Sequence, residues 1–208
     1  MYPLEGKQLT REEIRVIVAE AHVWQKRADL RRLDLRNANL IGADLREADL
    51  QEANLSGARL ENAILLHAIL EGANLQDAQL WGALLRGANL YQADLQRADL
   101  REALLHGANM MGAHLCDANL AEANLRWANL HGARLERTIL KEASLRWAGL
   151  QHTNLQEANL AGADLRRAIM RGVFLDQAHL EGTLLPLSLK ERVIQFFRDR
   201  LHRFDQAN

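Results

Sequence analysis

The sequence predicts an all-β solenoid, a square coil of twenty residues per turn closed at each end by a short helix. Three observations predict it. Leucine recurs at every fifth position from Leu30 to Leu185, with Met110 and Met170 the only departures in thirty-two positions. Alanine stands two residues before each, save at Leu33, Thr138, Thr153, Val173 and Thr183, and the residue between is mostly Asn or Asp. Eleven of the thirteen glycines fall two places after a central leucine or methionine.

A straight helix turns by about 100° per residue, so a five-residue stripe would wander around its surface. A flat strand would send successive leucines to opposite faces. The pattern becomes consistent if the chain turns a corner every five residues and each leucine points to a common axis. Four such corners close a coil of twenty. The recurrent glycines then mark corners, where a tight turn wants a residue tolerant of positive φ.

The flanks read as lids. Residues 1–27 hold an N-terminal capping helix, in which Thr10 and Glu13 have the spacing of a capping box and Ile14, Ile17, Val18, Ala21 and Trp24 follow at helical spacing. Residues 28–187 are the coils. Residues 188–208 open with a second capping box, Ser188 and Glu191. They continue as an amphipathic stripe of Val193, Phe197, Leu201 and Phe204, with Phe196 on a second face. Lids are needed because the end coils of a solenoid expose apolar rungs and open backbone edges.

Composition limits the setting. The 208 residues suffice for one substantial domain, and 26 basic against 27 acidic residues give no global signature of nucleic-acid binding. One cysteine, Cys116, rules out an internal disulfide and points to a reducing compartment. No apolar run nears the roughly 20 residues a membrane span needs. The start, MYPLEGKQLTREE, lacks the apolar stretch of a signal peptide. The expectation is a cytoplasmic protein with no membrane contact.

The unbroken A(N/D)LXX series resembles the pentapeptide-repeat proteins. That resemblance implies a right-handed quadrilateral β-helix of about eight coils over residues 28–187. Stacked at about 4.8 Å, the coils would form a prism roughly 35–40 Å long. Leucine and alanine would fill it, leaving function to the outer walls and the ends. Some proteins of this family mimic duplex DNA and bind DNA gyrase, and some of these dimerise through their C-termini. The resemblance therefore implies two alternatives: a gyrase-binding DNA mimic, and a homodimer through the Phe196-bearing helix.

Residues twenty apart lie above one another, so the surface can be read as columns. Asn89, Asn109 and Asn129 form a column suited to an amide ladder. One wall, centred on Leu45, Leu65 and Leu85 and continuing to Leu185, differs from the rest. After its leucines run Arg46, Leu66, Arg86, His106, Arg126, Arg146 and Arg166, and beside them Trp127, Trp147 and Arg167. On its other side run Ile64, Leu84 and Leu104. The wall thus joins an exposed aliphatic patch (Ile64, Leu66, Leu84, Leu104) to an Arg/Trp patch. Stacked like charges repel, and Glu102, Glu122 and Glu142 on the adjoining corner are candidate counter-charges. Trp and Arg are enriched at binding hot spots. The plain structural alternative is that the tryptophans stack and the arginines lie over them.

Catalytic, cofactor and metal sites are not expected. A convex prism offers no pocket of converging groups, and no nucleophile–base pair stands out. Only His131 and His152 sit on neighbouring coils of one wall, and two ligands do not make a metal site. Cys116 has no basic neighbour forced beside it. The leading expectation is a non-enzymatic scaffold that offers its Arg/Trp/aliphatic wall to an unidentified protein partner. DNA mimicry demands a strongly negative surface, whereas residues 28–187 hold 20 acidic and 16 basic residues without a long acidic stripe. Direct nucleic-acid binding through the same wall is the third possibility, and its signature is steep salt dependence.

Overall fold

Each five-residue unit is one side of a square. The structure, a computed structural model, describes residues 9–24 and 26–187. Through residues 28–187 it is a four-sided parallel β-helix in which residue n bridges residue n + 20, from Asp29↔Asp49 to Asp164↔Leu184. Each side contributes a single bridging residue rather than an extended strand. The coils are nevertheless densely joined. Around Leu85, for example, the Leu85 N–H donates to the Leu104 carbonyl (2.9 Å), the Gly87 N–H to His106 (3.0 Å) and the Leu104 N–H to Ala83 (2.9 Å).

Corners sit two residues after each leucine or methionine, and every one from Arg32 to Gly182 has φ between 51° and 70°. The eleven expected glycines are among them, but twenty corners are held by ordinary residues, including Trp127, Trp147 and Arg167. A side-chain-bearing residue in this region costs about 1–2 kcal/mol. The pattern of backbone bonds makes the corner obligatory: the Glu102 N–H, for instance, reaches the Ala121 carbonyl of the next coil at 3.0 Å.

Inside, the central leucines of the repeat from Leu30 to Leu165 and nearly all the alanines are buried. At about 1.5–3 kcal/mol per large apolar side chain removed from water, they supply the main driving force for the coil. Threonine at an alanine position brings a hydroxyl into this interior, where it needs a partner. Thr138, Thr153 and Thr183 donate to the carbonyls of Leu115 (2.8 Å), Leu130 (2.9 Å) and Leu160 (2.8 Å).

Helix α1, Arg11–Val23, covers the first coil. Its capping box is closed: the Thr10 N–H donates to Glu13 Oε2 (2.8 Å), and the Glu13 N–H donates to Thr10 Oγ1 (3.3 Å). Ile14 and Val18 are buried, with Ile17 and Ala21 packed at the edge of the core. Trp24 departs from the expected stripe. The helix stops at Val23, so the indole falls beyond the buried face and is 72% exposed. The expected C-terminal helix, with Val193, Phe196, Phe197, Leu201 and Phe204, lies outside the described residues. No described helix is long and apolar enough to cross a membrane.

Candidate binding wall

The aromatic column forms as its spacing requires. Trp127 and Trp147 stack with ring centroids 4.8 Å apart and planes 5° from parallel, and the Arg167 guanidinium lies 4.5 Å from the Trp147 ring. The coil spacing sets the ring spacing, because both tryptophans occupy the same corner of successive turns. Trp127 ends the column and is 52% exposed. Relative to glycine, which fills the same corner at Gly87 and Gly107, two tryptophans accept the positive-φ penalty twice. A single aromatic stack returns about 0.5–1.5 kcal/mol.

The arginines divide according to the residue two places earlier. Where that residue is Asp, the pair closes as a fork. Arg46 donates to Asp44 through Nε and Nη2 (2.9 and 2.6 Å), and Arg166 does the same to Asp164 (2.9 and 2.7 Å). Arg31, Arg36 and Arg101 are held in the same way by Asp29, Asp34 and Asp99. The hydrogen bond from its arginine keeps the Asp164 carboxyl below the usual carboxylate range, as it does for Asp99. Arg86 and Arg126 follow Leu84 and Asn124 instead. Both are exposed, and neither has an ion-pair partner among the described residues. Arg146 is half-buried and leans to Asp164 at 3.8 Å, with its Nε buried and unpaired. His106 is half-buried between Arg86 and Arg126.

Two expectations change. The aliphatic residues do form one column through the bridges Ile64↔Leu84 and Leu84↔Leu104. However, Ile64, Leu66 and Leu84 are half-buried, because neighbours one coil apart cover one another, and only Leu104 is well exposed, at 43%. The glutamate column is not the counter-charge. Glu102 accepts from Trp81 Nε1 (3.2 Å) and Glu142 pairs with Lys141 (3.6 Å). The aspartates on the bridging face take that role.

Elsewhere the polar columns are internally satisfied. Asn109 Nδ2 donates to Asn89 Oδ1 (2.9 Å) and Asn129 Nδ2 to Asn109 Oδ1 (3.3 Å), so the amide ladder exists. Cys116 is buried and its thiol donates to Glu136 at 3.0 Å. Burial first, and then that bond, push the thiol up to about 11, which leaves it protonated and unreactive near neutral pH. His131 and His152 meet edge to face at 5.5 Å. No group of three or more potential metal ligands gathers among the described residues.

Sequence reasoning missed two features. One is Gly107, where an added Cβ would meet nothing within 4 Å, so open space lies one coil below Trp127 on the same corner column. Reading the 47–167 column in full would have shown it. The other is outward apolar surface on the last coils, with Ile169, Phe174 and Leu184 each about half exposed. Their signal was an apolar residue where the repeat carries Asn or Asp.

Comparison with known proteins agrees with this architecture. The family described as pentapeptide repeats matches in eight copies over residues 28–65, 68–107, 108–146 and 143–182. Among solved structures, a trypsin-treated form of QnrB1, a plasmid-mediated fluoroquinolone resistance protein, is 18% identical with a TM-score of 0.57. That alignment covers 77% of this chain and 87% of that one. HetL, a pentapeptide repeat protein involved in heterocyst differentiation regulation from the cyanobacterium Nostoc sp. strain PCC 7120, is 28% identical with a TM-score of 0.31. Its alignment covers 86% of this chain and 98% of HetL. A pentapeptide repeat protein from the Arabidopsis thaliana thylakoid lumen is 30% identical with a TM-score of 0.37, covering 61% of this chain and 70% of that one. No curated protein matches the sequence. At 18% identity the QnrB1 likeness establishes the fold alone, a right-handed quadrilateral β-helix.

Proposed function

The chain belongs to the pentapeptide-repeat family, and from that premise we propose that it is a non-enzymatic scaffold presenting its Arg/Trp wall to a protein partner. The observation that carries this reading is local. Most arginines of the coil are neutralised by neighbouring carboxylates, whereas Arg86 and Arg126 flank an exposed indole face and the exposed Leu104 with their charges uncommitted. Rigid aromatics beside free arginines make a surface of the kind that contributes most to protein interfaces. The filled interior supports the non-enzymatic part, since the leucines and alanines within leave no space for a substrate.

The test is affinity capture from the native cell with wild type and with Trp127→Ala/Trp147→Ala, the fold of both confirmed by circular dichroism. Loss of the same captured protein in the variant supports the reading, and an unchanged set of partners removes it.

A DNA-mimic that binds gyrase is the less favoured reading. Mimicry needs an uninterrupted acidic surface, and here Asp29, Asp34, Asp44, Asp99 and Asp164 are each neutralised by an adjacent arginine. Purified gyrase is expected to keep its supercoiling activity and its drug sensitivity at micromolar concentrations of this protein. Inhibition or protection would reverse the ranking.

A further inference from the structure

The gap at Gly107 has walls. On the same corner column, the His67 imidazole reaches up to the level of Gly87, where an added Cβ would lie 2.6 Å from His67 Nδ1. Above the gap stands Trp127, whose partner on the far side is Trp147. Between the Gly87 and Trp127 levels lie two coil spacings, about 10 Å. The Trp127–Trp147 distance of 4.8 Å shows what one planar group occupies in this column. One further planar group fits between the imidazole and the indole, resting on Gly107.

Charge selects what that group is attached to. Arg86 and Arg126 stand one coil to either side of His106, both exposed and unpaired among the described residues. The bridging face beside the gap reads Leu84, Leu104 and Asn124, and the face beyond the corner reads Asn89, Asn109 and Asn129. The Glu71 carboxylate reaches the lower end of the second face, where it accepts from Asn89 Nδ2 at 3.3 Å, and the Asn109 and Asn129 amides donate along their ladder. The two unpaired arginines favour an anion on either side of the gap.

We propose that the Gly107 gap seats an aromatic side chain from an extended segment of the partner, and that acidic residues two places to either side of it pair with Arg86 and Arg126. In an extended segment, same-face side chains are about 6.6 Å apart. The two arginines lie about 4.8 Å above and below the gap, and their flexible side chains span the difference. A nucleic-acid strand fits less well, because the arginines that would continue a basic track, Arg46 and Arg166, are held by aspartates. This inference rests on the protein-binding reading of the wall.

The probe is a blocked heptapeptide with glutamate at its second and sixth positions, 4-fluorophenylalanine at its fourth and glycine elsewhere. It is titrated against the full chain and followed by fluorine NMR. Saturable binding is expected, lost in Gly107→Gln and weakened roughly fivefold or more in Arg86→Gln/Arg126→Gln. Gln92 and Gln177 already occupy equivalent corners at φ 51° and 59°, so the coil accepts Gly107→Gln at the backbone cost of any other side-chain-bearing corner, and circular dichroism confirms that the variant folds. A peptide carrying glutamines for glutamates should lose as much affinity as the double arginine variant. The proposal is overturned if no saturable binding appears up to millimolar peptide, or if Gly107→Gln binds as wild type does. It is also overturned if adenosine monophosphate binds more tightly than the peptide with the same dependence on these residues. Failure of the peptide alone leaves the capture experiment with the tryptophan variant to decide the broader reading.

Discussion

The two ends of the wall and its middle use arginine differently. Near the ends, Arg46 and Arg166 are each forked onto the aspartate two residues earlier, at 2.6 and 2.7 Å for their shorter bonds. In the middle, Leu84 and Asn124 stand where those aspartates would be, and Arg86 and Arg126 extend freely. Behind both regions the interior is the same, with Leu45, Leu85, Leu125 and Leu165 all buried. The difference shows that fold and recognition occupy separate positions of the five-residue unit. The central leucine and the alanine two before it build the coil. The residue between them decides whether the following arginine joins the protein's own surface network or is left for something else.

Perturbing the shared interior should have the largest effect. Leu105→Ala, directly behind the middle of the wall, is expected to cost about 2–5 kcal/mol in chemical denaturation. A loss well under 1 kcal/mol, against that roughly 2–5 kcal/mol scale, would mean that the coil collapses around the cavity and the interior is not shared rigidly. Thr153→Val should cost about 0.5–1.5 kcal/mol by removing one buried hydrogen bond. The low end is expected, because the Leu130 carbonyl keeps its second donor, the Ala133 N–H at 3.0 Å.

On the wall itself, Leu84→Asp should convert the middle into an end. Arg86 becomes forked, the thermal midpoint moves by no more than about 2 °C, and heptapeptide affinity falls roughly twofold to fivefold. Full affinity with a forked Arg86 would dissociate the arginine from recognition. The smallest effect on stability is expected from Asp164→Asn, which releases Arg166 and Arg146 together. Its pH dependence carries a definite sign. Hydrogen bonding from Arg166 holds the Asp164 carboxyl down. Its contribution is therefore complete above the value for an unfolded aspartate, about 3.9, and is lost as pH falls through the lower folded value. The gap in stability between wild type and Asp164→Asn should stay constant from neutral pH to about 4 and close below it. A gap that widens on acidification would contradict the assignment.

The coil could be read from sequence because its rule is periodic and apolar, and each leucine testifies for the next. The twenty side-chain-bearing corners follow from the five-residue period, although their residue types do not mark them. Intrinsic preference marks glycine at positive φ, while the bonds to the next coil impose the same angle on Arg, Glu and Trp. Trp24 was misplaced because helical spacing alone does not mark where α1 ends. The exposure of Ile64 and Leu84 was overstated because a column of large residues shields itself. Of the candidate wall, the tryptophan stack followed from the twenty-residue period. The fork was present in the text as Asp-Leu-Arg, but its meaning lies in a contact across two residues that periodicity does not reveal.

The correspondence of residue n with n + 20 makes the prism a ruler graduated in single coils. Inserting twenty residues between Gly107 and Trp127 would preserve every column and lengthen the span from Arg86 to Arg126 by one graduation, about 4.8 Å. Inserting nineteen or twenty-one would throw every later side chain onto the wrong mark. Residues 121–130 and 141–150, AEANLRWANL and KEASLRWAGL, are two near-copies set one graduation apart. A chain of this kind can therefore retune the reach of its wall by copying or deleting whole coils, keeping its interior intact at each step.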